Sequence, residues 1–266
     1  MSNSGLVALG FALIFLFTCA GSATVYLFKG EISPKLNTLF LGFAAGVMIA
    51  ATVWSLMIPS IEGASEIFNG NKYLSILPAA VGFIAGGLFL VFLDKVIPHF
   101  HLGTDKEEGH RSNFEKSTKF FLAVTIHNIP EGIAAGVAFG AAASLGDHAA
   151  YLSALGLAIG LGLQNFPEGA SVALPMKNLT GSRHKAFLLG SFSGIVEPIF
   201  ALLGFYLAAF VSVLQPWLLA FAGGAMIFVV AEDLIPDAKL AEHPHLGTWG
   251  VMAGFVIMMV LDVVLG

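Results

Sequence analysis

Two stretches carry most of the chemistry in this chain: His127-Asn128-Ile129-Pro130-Glu131-Gly132 and, 37 residues later, Gln164-Asn165-Phe166-Pro167-Glu168-Gly169. His127 and Glu131 stand at i,i+4, as do Gln164 and Glu168, so on helices each pair projects from one face. Both stretches lie inside long apolar segments, where an ionisable side chain costs roughly 3 kcal/mol or more and marks a functional site by default. An imidazole, two carboxylates and amide oxygens converging from two facing helices make a mixed nitrogen and oxygen site for a divalent cation, zinc being the first candidate. Pro130 and Pro167 cannot donate helical hydrogen bonds to the carbonyls of Ile126 and Leu163, so both helices are expected to be broken beside the polar cluster. Freed carbonyls in lipid need protein or a water-filled cavity as partner. The pattern reads as a path for metal.

The elements that hold these residues are membrane spans. The 266 residues are 57% hydrophobic and 11% charged, with 31 glycines and a mean hydropathy of +0.86. Apolar runs of ~18 or more residues recur throughout, which specifies an all-α polytopic membrane protein. A net charge of −5 without a basic cluster interleaved with aromatics argues against nucleic acid as a partner. Cys19, the single cysteine, rules out an internal disulfide and a multi-cysteine metal centre. Residues 5–28 lack a positive n-region and exceed the ~7–15 residues of a signal h-region, so they read as an uncleaved first span.

Eight spans are expected, at 5–28, 37–60, 73–97, 118–143, 149–176, 185–212, 217–236 and 247–265, the fourth and fifth being the longest. Loops after odd-numbered spans hold eleven of the twelve lysines and arginines, and Lys72 alone follows an even-numbered one. The positive-inside rule then puts both termini on the non-cytoplasmic side, in the cell (inner) membrane. The cytoplasmic loop 98–117 carries His99, His101 and His110 among Lys106, Glu107, Glu108 and Arg111. It reads equally as a loose metal-holding tract or as a solvated loop, mobile and dispensable for the fold.

An internal repeat is also legible. Phe43-Ala44-Ala45-Gly46-Val47-Met48-Ile49 of span two answers to Phe221-Ala222-Gly223-Gly224-Ala225-Met226-Ile227 of span seven, with Pro59 and Pro236 near the ends. Gly82, Ala85, Gly86, Leu93 and Asp94 of span three are in register with Gly250, Ala253, Gly254, Leu261 and Asp262 of span eight. Spans one to three thus match six to eight in inverted orientation around a central pair, the fourth and fifth. Inverted repeats around a midplane site are the architecture of secondary transporters.

Eight spans, a histidine-bearing loop after the third, and H-N-x-P-E-G followed by Q-N-x-P-E-G resemble the ZIP family of divalent metal transporters, in particular its GufA-like branch. The resemblance covers essentially the whole chain. It implies a transport site for one or two ions lined by His127, Asn128, Glu131, Gln164, Asn165, Glu168 and Glu197 of span six, with Met48 nearby. On the residues alone, Asn128 and Asn165 could equally be interhelical hydrogen-bonding glue and Met48 could be packing. Some family members carry a carboxylate at the position of Asn165, so a second ion site here is expected to be the weaker one. Gln164 replaces a histidine found in many members and makes the first site richer in oxygen, which relaxes zinc selectivity toward iron, manganese or cadmium.

Carboxylates at the span ends complete the inventory. Glu62 and Asp262 are candidates at the outer mouth, and Asp94, Glu232, Asp233 and His243 at the inner one, for handing metal in or out. The resulting expectation is import of Zn²⁺ and related ions by alternating access, spans one, four, five and six moving against two, three, seven and eight. A homodimer is the candidate assembly. The competing reading is an intramembrane zinc-dependent hydrolase, against which stand the absence of H-E-x-x-H and a donor set poor in nitrogen.

Overall fold

The computed structural model describes residues 1–28, 33–100, 107–240 and 242–265; His101, Lys29 and Lys106 lie outside them. Eight helices long and apolar enough to cross a membrane follow one another: α1 (Asn3–Tyr26), α2 (Pro34–Ile67), α3 (Lys72–Val96), α4 (Lys116–Leu145), α5 (His148–Thr180), α6 (Arg183–Phe210), α7 (Ser212–Asp237) and α8 (His245–Leu265). Side chains of Ser2, Ser33, Asn71 and Ser182 cap N-termini by accepting backbone N–H groups. Gly146 and Gly181 end α4 and α5 with φ of 68° and 67°, a left-handed turn that glycine adopts without steric cost. The connections that follow are so short that α4, α5 and α6 must run as antiparallel neighbours.

Two expectations about the helices are corrected. The longest span is α2, at 34 residues, because it continues past Pro59. A π-helical segment, Thr52–Met57, resets the chain so that Pro59 falls in the first turn of the helix Ile58–Ile67, where its missing N–H has no partner to lose. Pro130 and Pro167, in turn, break neither α4 nor α5, which pass through them as continuous helices. Close packing holds both to their course. Gly132 lies against the Glu197 carbonyl of α6 and Gly169 against the Thr18 carbonyl of α1, contacts that any Cβ would obstruct. The real interruptions lie elsewhere: at Gly194-Ile195 in α6, and in π-helical segments at matching places in α2 and α7 (Val230–Leu234).

The most extensive packing joins α4 to α6, α1 to α5, α2 to α8 and α3 to α7. Each pair is the image of another under exchange of helices one to three with six to eight and of four with five. The glycines repeat the same contacts in register. Gly82 and Gly86 of α3 meet the carbonyls of Trp217 and Phe221, while Gly250 and Gly254 of α8 meet those of Leu39 and Phe43. Gly224 meets Phe83 as Gly46 meets Val251. The inverted repeat is therefore a property of the packing, and it yields two groups, α1/α4/α5/α6 and α2/α3/α7/α8.

The segment after α3 begins packed rather than solvated as expected. His99 and Phe100 form β1 (His99–Phe100), paired antiparallel with β2 (Glu107–Glu108), and both side chains are buried. His99 Nδ1 is 2.8 Å from the Ile97 carbonyl and its Nε2 is 3.9 Å from Asp94 Oδ1. Phe100 packs with Phe120, Val124 and Met176 under the Lys116 ammonium. Burying an aromatic ring on α4 and α5 outweighs solvating this end of the loop. His110 is exposed.

Candidate metal centre

A cavity of about 300 Å³ opens on the face that carries the loop after α3 and runs between the two helix groups, with Pro34 and Thr38 of α2 at its wall and His127, Glu168, Asp233 and Asp237 along it. His127 is on α4 and Glu168 on α5, so the cavity ends where the two motifs meet. His127 Nε2 lies 3.1 Å from Asp233 Oδ2 of α7. Deeper in, Glu131 reaches the amides of Gln164 and Asn165 and lies near Glu168 and Glu197. Asn128, Glu131, Gln164 and Asn165 are no more than 3% exposed.

Three polar atoms in this interior have no hydrogen-bond partner: Glu131 Oε2, Gln164 Oε1 and Asn128 Nδ2. Buried polar groups are otherwise paired almost without exception, since an unpaired one costs about 1–3 kcal/mol. Two of the three are oxygens, and the Asn128 amide presents an oxygen when turned over. A carboxylate and amide oxygens beside an imidazole suit a divalent ion bound by nitrogen and oxygen. Among the described residues no three His, Cys, Asp or Glu side chains close into a finished ligand cluster. The donors are strung from the cavity floor into the core.

Glu197 stands at the far end of that string. The α6 interruption starts a new helix at Val196 and sets Glu197 in its first turn, wholly buried, where a carboxylate is favoured by the helix dipole. Its Oε1 accepts from Thr18 Oγ1 at 2.9 Å and its Oε2 from Asn165 Nδ2 at 2.9 Å. Asn165 also donates to the Ile14 carbonyl at 3.2 Å, and its Oδ1 accepts from Gln164 Nε2. Met48 is fully buried in the hydrophobic core and does not line the cavity.

Residues 116–262 match the model of the ZIP zinc transporter family, and they span both motifs, Glu197 and Asp233. The chain belongs to the ZIP family. It is 36% identical to zinc transporter ZIP11 of Xenopus tropicalis, over 97% of this chain and 96% of that one. It is 37% identical to zinc transporter GufA of Myxococcus xanthus, over 93% and 96%, and 34% identical to zinc transporter ZIPB of Bordetella bronchiseptica, over 98% and 82%. ZIP proteins are transporters rather than enzymes, and the hydrolase reading has no support.

In this ZIP chain the expected hand-off residues separate. Asp233, expected at the mouth, belongs to the cavity floor beside His127. Its neighbour Glu232 is exposed and points away, since consecutive residues of a helix stand about 100° apart and only one of the two can face the cavity. Glu62 is also exposed, Asp94 is partly buried beside His99, and His243 is half-buried. Asp262 is 8% exposed and accepts from Ser55 Oγ of α2 at 2.6 Å. The repeat gave the available hint for Asp233: counting on from the Phe43/Phe221 match, it aligns with Ser55, the residue that meets Asp262.

Proposed function

We propose that this ZIP protein carries Zn²⁺ across the membrane by alternating access, and that the conformation described here is the one open to the loop face. The observation that carries the reading is the cavity between the helix groups, walled by α2 and α7 on one side and by α4 and α5 on the other, ending at His127, Glu168 and Asp233. The opposite face is where the groups touch. There Gln215 Nε2 of α7 donates to Ser144 Oγ of α4 at 2.5 Å, and Gly156 of α5 packs on Leu265 of α8.

In this reading His127, Glu131, Gln164 and Glu168 are the main ligands, with Asn128 adding an amide oxygen. Neutral imidazole supplies nitrogen and the carboxylates supply charge. Asp233 receives the ion from His127 and Asp237 lies on the way out. Rocking of α1/α4/α5/α6 against α2/α3/α7/α8 closes the cavity and parts the opposite face; Asp262 and Ser55 then stand on the entry route. The lysine and arginine bias makes the loop face cytoplasmic and the direction import. The oxygen-rich donor set extends the substrate range to Fe²⁺, Mn²⁺ and Cd²⁺. The same reading puts the protein in the cell (inner) membrane as a candidate homodimer, a state that light scattering in detergent measures directly.

The test is zinc uptake into proteoliposomes by wild type, Glu131→Ala and His127→Ala, each shown to be folded. Uptake by wild type and its loss in both variants supports the reading. Zinc binding by wild type without movement under either gradient direction overturns it.

A further inference from the structure

The interior of the α1/α4/α5/α6 group contains a hydroxyl that none of the motifs includes. Thr18, on α1, is 4% exposed and sits where α1, α5 and α6 meet at the α6 interruption. Both neighbouring helices give it room with glycine: Gly169 lies on its carbonyl, and a Cβ at Gly194 would be 2.8 Å from its Cγ2 and 3.0 Å from Glu197 Oε1. Its hydroxyl is 2.9 Å from Glu197 Oε1 and 3.2 Å from the Ile14 carbonyl. With Asn165 on Oε2, both oxygens of the carboxylate are engaged, from two different helices. Glu197 is 0% exposed and is not among the residues lining the cavity.

We infer that Thr18 is a positioning residue that holds the Glu197 carboxylate back from the ion site, so that this chain binds one divalent ion tightly and a second only weakly. The inference rests on the proposed metal site. Three carboxylates at Glu131, Glu168 and Glu197 with neutral His127 total −3, so the charge would accommodate a second ion. What limits the second ion is the donation of Thr18 and Asn165 to Glu197, which an incoming cation has to displace. Asn165 cannot be changed without touching an expected ligand, whereas Thr18 is not itself one: it lines a small pocket beside Asn128, Asn165 and Glu168, and its hydroxyl is bonded to Glu197 and the Ile14 carbonyl.

The experiment is a zinc titration of purified protein in detergent against a competing chelator, resolving the first and second binding events. Thr18→Val keeps the shape and removes the hydroxyl; Thr18→Ser keeps the hydroxyl and removes the methyl. Hydrogen bonds to buried charged groups are strong enough that Thr18→Val is expected to tighten the second event by roughly tenfold or more, while Thr18→Ser follows wild type. Adding Glu197→Gln to Thr18→Val should abolish the gain. A second event unchanged or weakened in Thr18→Val overturns the inference, and so does equal behaviour of the valine and serine variants, which would make Thr18 a packing residue. The first event keeps the two claims apart. Its presence in wild type and loss in Glu131→Gln support the metal site itself, and its persistence in Glu131→Gln refutes that site whatever Thr18 does.

Discussion

Neutralising Asp233 while leaving its neighbour intact tests the cavity floor directly. In Asp233→Asn the side chain keeps its size and loses its charge. With His127 Nε2 3.1 Å from Asp233 Oδ2 and a zinc to nitrogen bond of about 2 Å, an ion held by His127 lies at most about 5 Å from the carboxylate. A divalent ion and a single negative charge at that distance attract by about 1.6 kcal/mol even when screened as in bulk water, which is roughly fifteenfold in affinity, and by more in a partly dehydrated cavity. Asp233→Asn should therefore weaken zinc binding at least about fifteenfold in a chelator competition. Glu232→Gln, which neutralises the exposed neighbour on the same π-helical segment, should stay within about twofold, as expected for a surface charge. Loss of affinity within threefold for Asp233→Asn, or equal losses in the two variants, would refute the placement of Asp233 at the ion site.

Three further outcomes are expected. In a Cys19→Ala background, Gly156→Cys with Leu265→Cys brings Cβ atoms to about 3.3 Å, near the usual disulfide spacing; oxidation should stop uptake and reductant restore it, whereas unaffected uptake would sink the rocking of one helix group against the other. Uptake should fall as pH drops from about 7.5 to 5, because ligation needs a neutral imidazole and ionised carboxylates, for which protons compete with the ion; a flat profile in a counterflow assay would refute proton competition at these ligands. Gly132→Val places a Cβ 2.9 Å from the Glu197 Cα and should cost about 1–3 kcal/mol by overpacking, read as a lowered melting temperature in detergent together with lost zinc binding.

The paired motifs, the eight spans and the inverted repeat were all readable from the chain, because each rests on local composition or on self-similarity. A carboxylate in the middle of an apolar run is anomalous wherever the helices end up, so Glu131, Glu168 and Glu197 stood out as candidates, and the structure buries all three. Asp233 and Glu232 show the limit of that reasoning. Adjacent in sequence and alike in chemistry, they stand on different faces of α7, and the packing of α7 against its neighbours decides which face meets the cavity; only the alignment of Asp233 with Ser55 in the repeat hints at it. Pro130 and Pro167 misled in the opposite sense. Proline removes a hydrogen bond locally, yet whether a helix breaks depends on what grips it on either side, and here Gly132 on α6 and Gly169 on α1 supply the grip. The engagement of Glu197 by Thr18 joins residues 179 positions apart. Sequence alone determined which polar residues lie within the apolar spans and that the chain lies within a membrane; tertiary packing decided which residues line the cavity, which oxygens are tied up by neighbouring helices, and on which face the cavity opens.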